Sequence, residues 1–243
     1  MKISADYHTH TKWSHASGSV LENVLAARAR GLAEIGIAEH GPSLFFVGVP
    51  HRHWQGLAQE IREVSREVED IKVLFNIEAN IVSLAGKLDI PGNLPRRPDM
   101  ILAGLHPRVL PRDLRSTWAL YGLRWLALIS RGRRHQLVDA FTEAVVNCVN
   151  NNQVDIVVHP GYGFPIDTTE LALACARRGT LLEINCRHLQ QCRKDIKIAA
   201  QVPDVGFVLG SDAHKPKEVG RLEDGVIFAK ALGISPERIR NLH

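Results

Sequence analysis

What the chain has little of narrows the field before any motif is read. It has four cysteines and no C-x-x-C pair. Cys148, Cys175, Cys186 and Cys192 are therefore read as reduced thiols, not a disulfide framework. No apolar run reaches the roughly 20 residues that a membrane span needs. The longest apolar-rich stretch, WALYGLRWLALIS, is broken by Arg124, so no membrane partner is expected. No basic segment followed by an apolar one opens the sequence, so a secretory signal is not expected and the cytoplasm is the expected compartment. Pro/Gly/Ser-rich linkers, low-complexity tracts and repeats of about 20–50 residues are lacking too, which favours a single domain over residues 1–243. Charge is only mildly unbalanced. A net +4 and a pI near 9.0 suit an anionic substrate. At 45% hydrophobic over 243 residues, the chain can bury a sizeable core.

Histidine is plentiful, with twelve in all, and three of them, His8, His10 and His15, fall close together in MKISADYHTHTKWSHASG. Their meaning depends on the apolar runs. Seven short runs rich in Val, Ile and Leu recur along the chain: 3–8, 34–38, 72–77, 100–104, 154–158, 180–184 and 205–210. They lack clean alternation, as strands buried on both faces do. Helix-like segments lie between most of them, at 20–31, 54–68, 136–150, 168–178, 189–200 and 216–231; in the second, apolar residues at 54, 57, 61, 64 and 68 keep helical spacing. The stretch between the third and fourth runs, with LDIPGNLPRRPD, reads as an irregular loop. Seven strands with intervening helices imply parallel β/α units, and the number predicts a seven-stranded barrel, with an open sheet as the alternative. Chemistry in such barrels collects at the C-terminal strand ends.

The polar residues sit there. The first run ends in His8-Thr9-His10, two imidazoles two apart and so on one side of a strand. The second ends in Glu39-His40, the third in Glu78, the fourth in His106, the fifth in His159, and the seventh in SDAH with Asp212 and His214. The sixth, LLEINCRH, ends without an obvious ligand pair, although Glu183, Asn185, Arg187 and His188 are nearby. Seven histidines, Glu78 and Asp212 would then converge on one mouth. Imidazole and carboxylate are the usual donors to Zn²⁺, Mn²⁺ and Fe²⁺. Nine donors exceed one tetrahedral ion and suit two or three, with a carboxylate as bridge.

In order, HTH, EH, the Glu of NIEAN, the His of GLHP, HPG and SDAH resemble the motifs of the PHP (polymerase and histidinol phosphatase) family, from Asp6 to Lys215. The resemblance implies a distorted (β/α)7 TIM-like barrel and a stand-alone metal-dependent phosphoesterase with two or three divalent ions. It implies that His8, His10, Glu78 and Asp212 hold one ion, that Glu78 bridges to a second held by His106 and His159, and that His15, His40 and His214 hold a third. All nine positions are filled. Asp212, Glu78 and His214 are the expected catalytic residues. In-line attack on phosphorus by a hydroxide held between two ions is the expected reaction, with a small-molecule phosphate monoester as substrate. Glu39 departs from the family, where an Asp or another small polar residue is common, and is expected to support the site from behind or to point away. Asp6, two residues before His8, is expected to share its face and to hydrogen-bond a ligand imidazole.

Other residues carry weaker signals. Arg108, Arg187 and Lys215 follow strand ends and are candidate phosphate binders. His51 and His53 repeat H-x-H, but after a proline at a helix start, so they read as loop residues near the mouth. His135, His188 and His243 have no partner pattern; of these His188, after the sixth strand, is the most interesting. The segment from Arg108 to His135 carries seven arginines and one acid, with Trp118, Tyr121 and Trp125 among them. A packed helix or a lid is favoured over a nucleic-acid platform. A phosphodiesterase or nuclease on the same centre is the main rival function. An amidohydrolase-type enzyme fits less well, because no Lys lies in the fourth run. A metal-binding regulatory domain would bind metal and turn nothing over.

Overall fold

All seven apolar runs form strands. The structure is a computed structural model that describes residues 2–124 and 131–243; Trp125 and residues 126–130, with the side chain of Arg131, lie outside the described residues. The strands are β1 (Ala5–Thr9), β2 (Glu34–His40), β3 (Lys72–Asn80), β4 (Met100–Gly104), β5 (Ile156–Val157), β6 (Leu181–Asn185) and β7 (Phe207–Gly210). They pair in chain order and every pair is parallel. The first and last strands meet again through a parallel bridge between Thr9 and Ala213, and His10 N donates to Ala213 O at 2.9 Å. The side chain of Asn241 staples the same seam lower down, donating to Ala5 O and Leu209 O. The result is a nearly closed, distorted (β/α)7 barrel, with β5 reduced to two residues.

Outside it lie α1 (Val20–Ala29), α2 (Trp54–Glu67), the short α3 (Leu114–Thr117) running into a π-helical turn (Trp118–Gly122), α4 (Arg131–Asn151), α5 (Thr168–Arg178), α6 (Leu189–Ala199) and α7 (Glu223–Ala231). Local chemistry sets their ends. Ser19 and Glu22 form a reciprocal capping box on α1. Asp167 caps α5, and Gly179 at φ 69° closes it in the left-handed conformation. The periodic residues Trp54, Leu57, Ile61 and Val64 of α2 are the buried ones. The helix expected over 216–231 is instead a 3₁₀ turn (Pro216–Glu218) and then α7, because Gly220 takes φ 68° and turns its N–H onto Asp6 Oδ2 at 2.8 Å.

The barrel interior has an apolar floor. Ala5, Tyr7, Ala38, Leu74, Leu102, Ile156, Val158 and Val208 form one buried cluster, while two larger clusters join the outer faces of the strands to the helices. Along β3 the inward positions climb two at a time from Leu74 through Asn76 to Glu78, from floor to mouth. On β1 the climb is interrupted. Asp6 pairs with Ile35 but Thr9 with Ile37, so one extra residue sits in β1. Such a bulge re-aims the side chains beyond it. Tyr7 belongs to the floor, yet His8 and His10 belong to the mouth.

Candidate metal centre

The C-terminal ends of the strands gather the nine candidate donors. His8, His10, His40, Glu78, His106, His159 and Asp212 are buried, His214 is half-buried and His15 is exposed. Glu78 lies at the centre. Its Oε2 is 3.5 Å from His8 Nε2, 3.3 Å from His10 Nε2 and 2.7 Å from His40 Nδ1. Its Oε1 is 2.9 Å from His106 Nε2 and 3.1 Å from His159 Nε2. One carboxylate thus divides its two oxygens between two sets of imidazoles. Beyond His10 lies a third group, with Asp212 Oδ1 at 3.5 Å from His10 Nε2 and His214 Nε2 at 2.6 Å from His15 Nε2.

These atoms face one another without being satisfied. Although His40 Nδ1 and Glu78 Oε2 are close, neither makes a hydrogen bond among the described residues, and nor do the Nδ1 atoms of His10 and His106. Buried polar atoms in folded proteins are nearly always paired. Facing nitrogens, 3.1 Å apart for His8 and His10 and 3.2 Å for His106 and His159, need something between or beside them to accept their lone pairs. Among the described residues, three triads come within ligating distance: His8–His10–Glu78, His10–Asp212–His214 and His40–Glu78–His106. The donor set therefore fits divalent metal. His40 lies between two of the expected sets, within reach of Glu78 and His106 and with its ring stacked on that of His15 at 5.1 Å.

Charge is uneven across the cluster: burial opposes it, but neighbouring carboxylates raise His8, His10 and His159 above the usual imidazole range, so binding a metal there would release their protons. Burial opposes ionisation of Glu78 and Asp212, but the surrounding imidazoles outweigh it and hold both carboxyls well below the usual range. Burial and neighbouring histidines press His15 to about 3, and burial presses His40 and His214 to about 4, which leaves these rings neutral at pH 7. Neutral imidazole and ionised carboxylate are the ligating forms.

Supporting residues fix the donors. Glu183, buried on β6, accepts from His8 Nδ1 at 2.7 Å and from His159 N at 2.8 Å, which turns His8 Nε2 towards Glu78. A Cβ at Gly210 would stand 1.9 Å from Glu183 Oε1, so glycine there makes room for that carboxylate. No motif marks Glu183 as a partner of His8; its place on β6, among inward positions two apart, is the available signal. Glu39 is buried and accepts from Thr11 N at 2.8 Å and from Thr11 Oγ1 and Ser14 Oγ, so it holds the loop carrying His15 and stands behind His10, as expected. Asp6 does not meet an imidazole. Because of the bulge it accepts backbone N–H groups of His8, Ser211 and Gly220 instead. His214 Nδ1 donates to Asp212 O, which leaves Nε2 for the site.

Backbone strain marks the same rim. Among the described residues, the non-glycine positions with positive φ are Phe46, Arg108, His159 and Asp212, all in the loops that follow strands. Such conformations cost about 1–3 kcal/mol and persist where surroundings impose them.

A cavity of about 270 Å³ opens over the donors. Arg108 and Arg187 line it, and Arg187 also pairs with Glu218 at 3.3 Å. Lys215 is exposed and does not line it. His188, which has no partner pattern in the sequence, does, with its ring stacked on Tyr162 at 3.8 Å and Nε2 3.4 Å from Asp212 Oδ2. His51 and Arg52 are exposed and His53 half-buried in a 3₁₀ turn away from the cavity.

The chain was compared with known proteins. No family model matches. A probable phosphatase of Shewanella sediminis is 31% identical over 250 residues, covering 99% of this chain and 90% of that protein. A probable phosphatase of a Thermoanaerobacter species is 29% identical over 251 residues, covering 99% and 91%. The crystal structure of a histidinol phosphate phosphatase from Lactococcus lactis, complexed with zinc, L-histidinol and phosphate, superposes with a TM-score of 0.62 at 18% identity, over 97% of this chain and 95% of that one. The full-length likeness, the seven-stranded barrel and the donor cluster at its mouth lead to one statement: the chain belongs to the PHP family of metal-dependent phosphoesterases and is a hydrolase of phosphoric ester bonds.

Proposed function

We propose that this metal-dependent phosphatase is a single domain that hydrolyses a phosphate monoester of a small molecule at a centre of two or three divalent ions. The division of Glu78 between two imidazole sets carries this reading, because a bridging carboxylate is what a multinuclear site needs. In it His8, His10, Glu78 and Asp212 would hold one ion, Glu78, His106 and His159 a second, and His15, His40 and His214 a third. Zinc, manganese and iron all suit these donors. Bound ions would supply Lewis acidity, lowering the pKa of a water and neutralising charge on phosphoryl oxygens.

The chain's own residues do the rest. Arg108 and Arg187 reach the cavity from two different loops and would take phosphoryl oxygens as charged donors. Glu183 holds His8 by Nδ1 and so directs its Nε2 into the cluster, where it would serve an ion. The cavity of about 270 Å³ suits a small ester better than a polymer, which favours the monoester over nucleic acid. The arginine-rich segment supports the same choice. Arg115 lies 3.3 Å from Glu143, Arg124 covers the ring of Phe164 at 4.7 Å, and Arg133 bonds Gln136 at 2.8 Å, so these cations serve the fold.

The test compares p-nitrophenyl phosphate with bis-p-nitrophenyl phosphate, using zinc- or manganese-loaded protein with Asp212→Ala as control and metal content measured alongside. Monoester preference, lost with the metal in Asp212→Ala, is expected. Diester preference would move the reading to a phosphodiesterase; full activity and full metal in Asp212→Ala would refute the ligand set.

A further inference from the structure

The mouth of the cavity is apolar on one side. Leu44, Phe45 and Val47, from the loop after β2, and Pro107, from the loop after β4, line it beside Arg108. The two loops are stitched together. Leu44 and Val109 form an antiparallel bridge, Phe45 N donates to Arg108 O at 3.1 Å, and Leu110 N donates to Ser43 O at 2.8 Å. They form one ledge leading outward from the donor cluster.

The ledge carries large apolar side chains that the fold does not bury. Phe46 is 90% exposed, Leu110 56% and Phe45 48%. The rings of Phe45 and Phe46 meet edge to face at 4.1 Å. Phe46 also takes φ 65°, a conformation that is an outlier for a bulky residue. Solvent exposure and backbone strain are both unfavourable, and neither is repaid by core packing. Phe45 belongs to both surfaces, lining the cavity and facing solvent, so the apolar ledge is continuous with the place where phosphate would bind.

Resting on the monoester reading above, we infer that this ledge seats the leaving group, and that the substrate is an amphiphilic phosphate monoester with an apolar chain or ring on the ester oxygen. Phe45, Phe46 and Leu110 are then specificity-determining residues. The phosphoryl end lies at the imidazole and carboxylate cluster, and the apolar end runs out across the ledge past Arg108. A sugar phosphate would leave these three side chains uncovered and set hydroxyls against carbon.

The experiment measures kcat/KM for n-alkyl phosphates from ethyl to octyl, kept below their micellar range, on metal-loaded protein beside p-nitrophenyl phosphate. A methylene wholly removed from water is worth about four-fold and one half covered about two-fold. On an open ledge that half covers each of the six added methylenes, the octyl-to-ethyl ratio of kcat/KM is therefore expected to reach about 60-fold. Phe46→Asn, which accepts positive φ, should cut that ratio several-fold, and Phe45→Ser more; Leu110→Ser gives an independent reading at an exposed site. A flat series in the parent protein that still turns over p-nitrophenyl phosphate would overturn the inference while leaving the monoester reading intact. So would an unchanged ratio in all three variants, or a dimer that Phe46→Asn splits with the ratio unaltered, which would assign the ledge to a second copy. Hydrolysis of the diester alone would overturn both readings.

Discussion

The two ends of this barrel are built by the same strands and differ in almost every other respect. At the lower end Ala5, Leu74, Leu102, Ile156 and Val208 close an apolar floor. Two to four residues further along, the inward positions are Glu78, His106 and Glu183, with neighbouring rings at ligating distance and buried lone pairs facing one another. The positive-φ residues other than glycine, among those described, all lie at the upper end. The floor is built for packing and the mouth for placing donors, and the buried carboxylates of the mouth stay ionised because imidazoles surround them.

Substitutions at the two ends should separate activity from stability. Glu78→Gln should abolish turnover and lower bound metal, seen by steady-state assay and elemental analysis, with the fold retained by circular dichroism. Glu183→Gln, which weakens the hold on His8, should cost about 10- to 100-fold in metal affinity or activity, measured by chelator competition. At the floor the expectation reverses. Leu102→Ala should cost about 2–5 kcal/mol in urea unfolding while the folded fraction keeps its kcat. Tyr7 belongs to the floor too, and its hydroxyl bonds Glu34 Oε2 at 2.8 Å. Burial first, and then Glu34, push its phenol up to about 12. Since the folded pKa lies above the unfolded one, its contribution is full below about pH 10 and fades as pH rises from there to about 12. Absorbance titration at alkaline pH should show one phenol ionising last. The smallest effect is expected at the thiols. Burial pushes Cys175 and Cys192 up to about 12 and raises Cys148 and Cys186, so native protein should resist iodoacetamide at pH 8 until denatured. Rapid native labelling of any one would contradict the packing around it.

Much of the mouth was legible because each donor ends a short apolar run. Strand ends can be read from a single sequence, and parallel strands bring their C-terminal ends to one side. The strands lie within a few residues of the apolar runs, and α2 and α5 match the spacing at 54–68 and 168–178 nearly to the residue, since an apolar stripe or a capping residue marks them locally. No helix among the described residues is long and apolar enough to cross a membrane.

Other features depended on atoms far apart in sequence. Asp6 was read onto the face of His8 because an unbroken strand alternates; the bulge between Asp6 and Thr9 appears only once β1 has a partner. Glu183 meets His8 across 175 positions, through barrel closure. Lys215 is left exposed beside a 3₁₀ turn, while the loop after β6 folds His188 onto Tyr162, and neither placement shows in a local pattern. The grouping of imidazoles around Glu78 is set by strand stagger, which no local pattern encodes. Sequence by itself determined which chemistry-bearing residues stand at the strand ends, because apolar periodicity and residue type are local properties. Tertiary structure decided which of them face one another, because register, bulge and barrel closure are relations between segments that are distant along the chain.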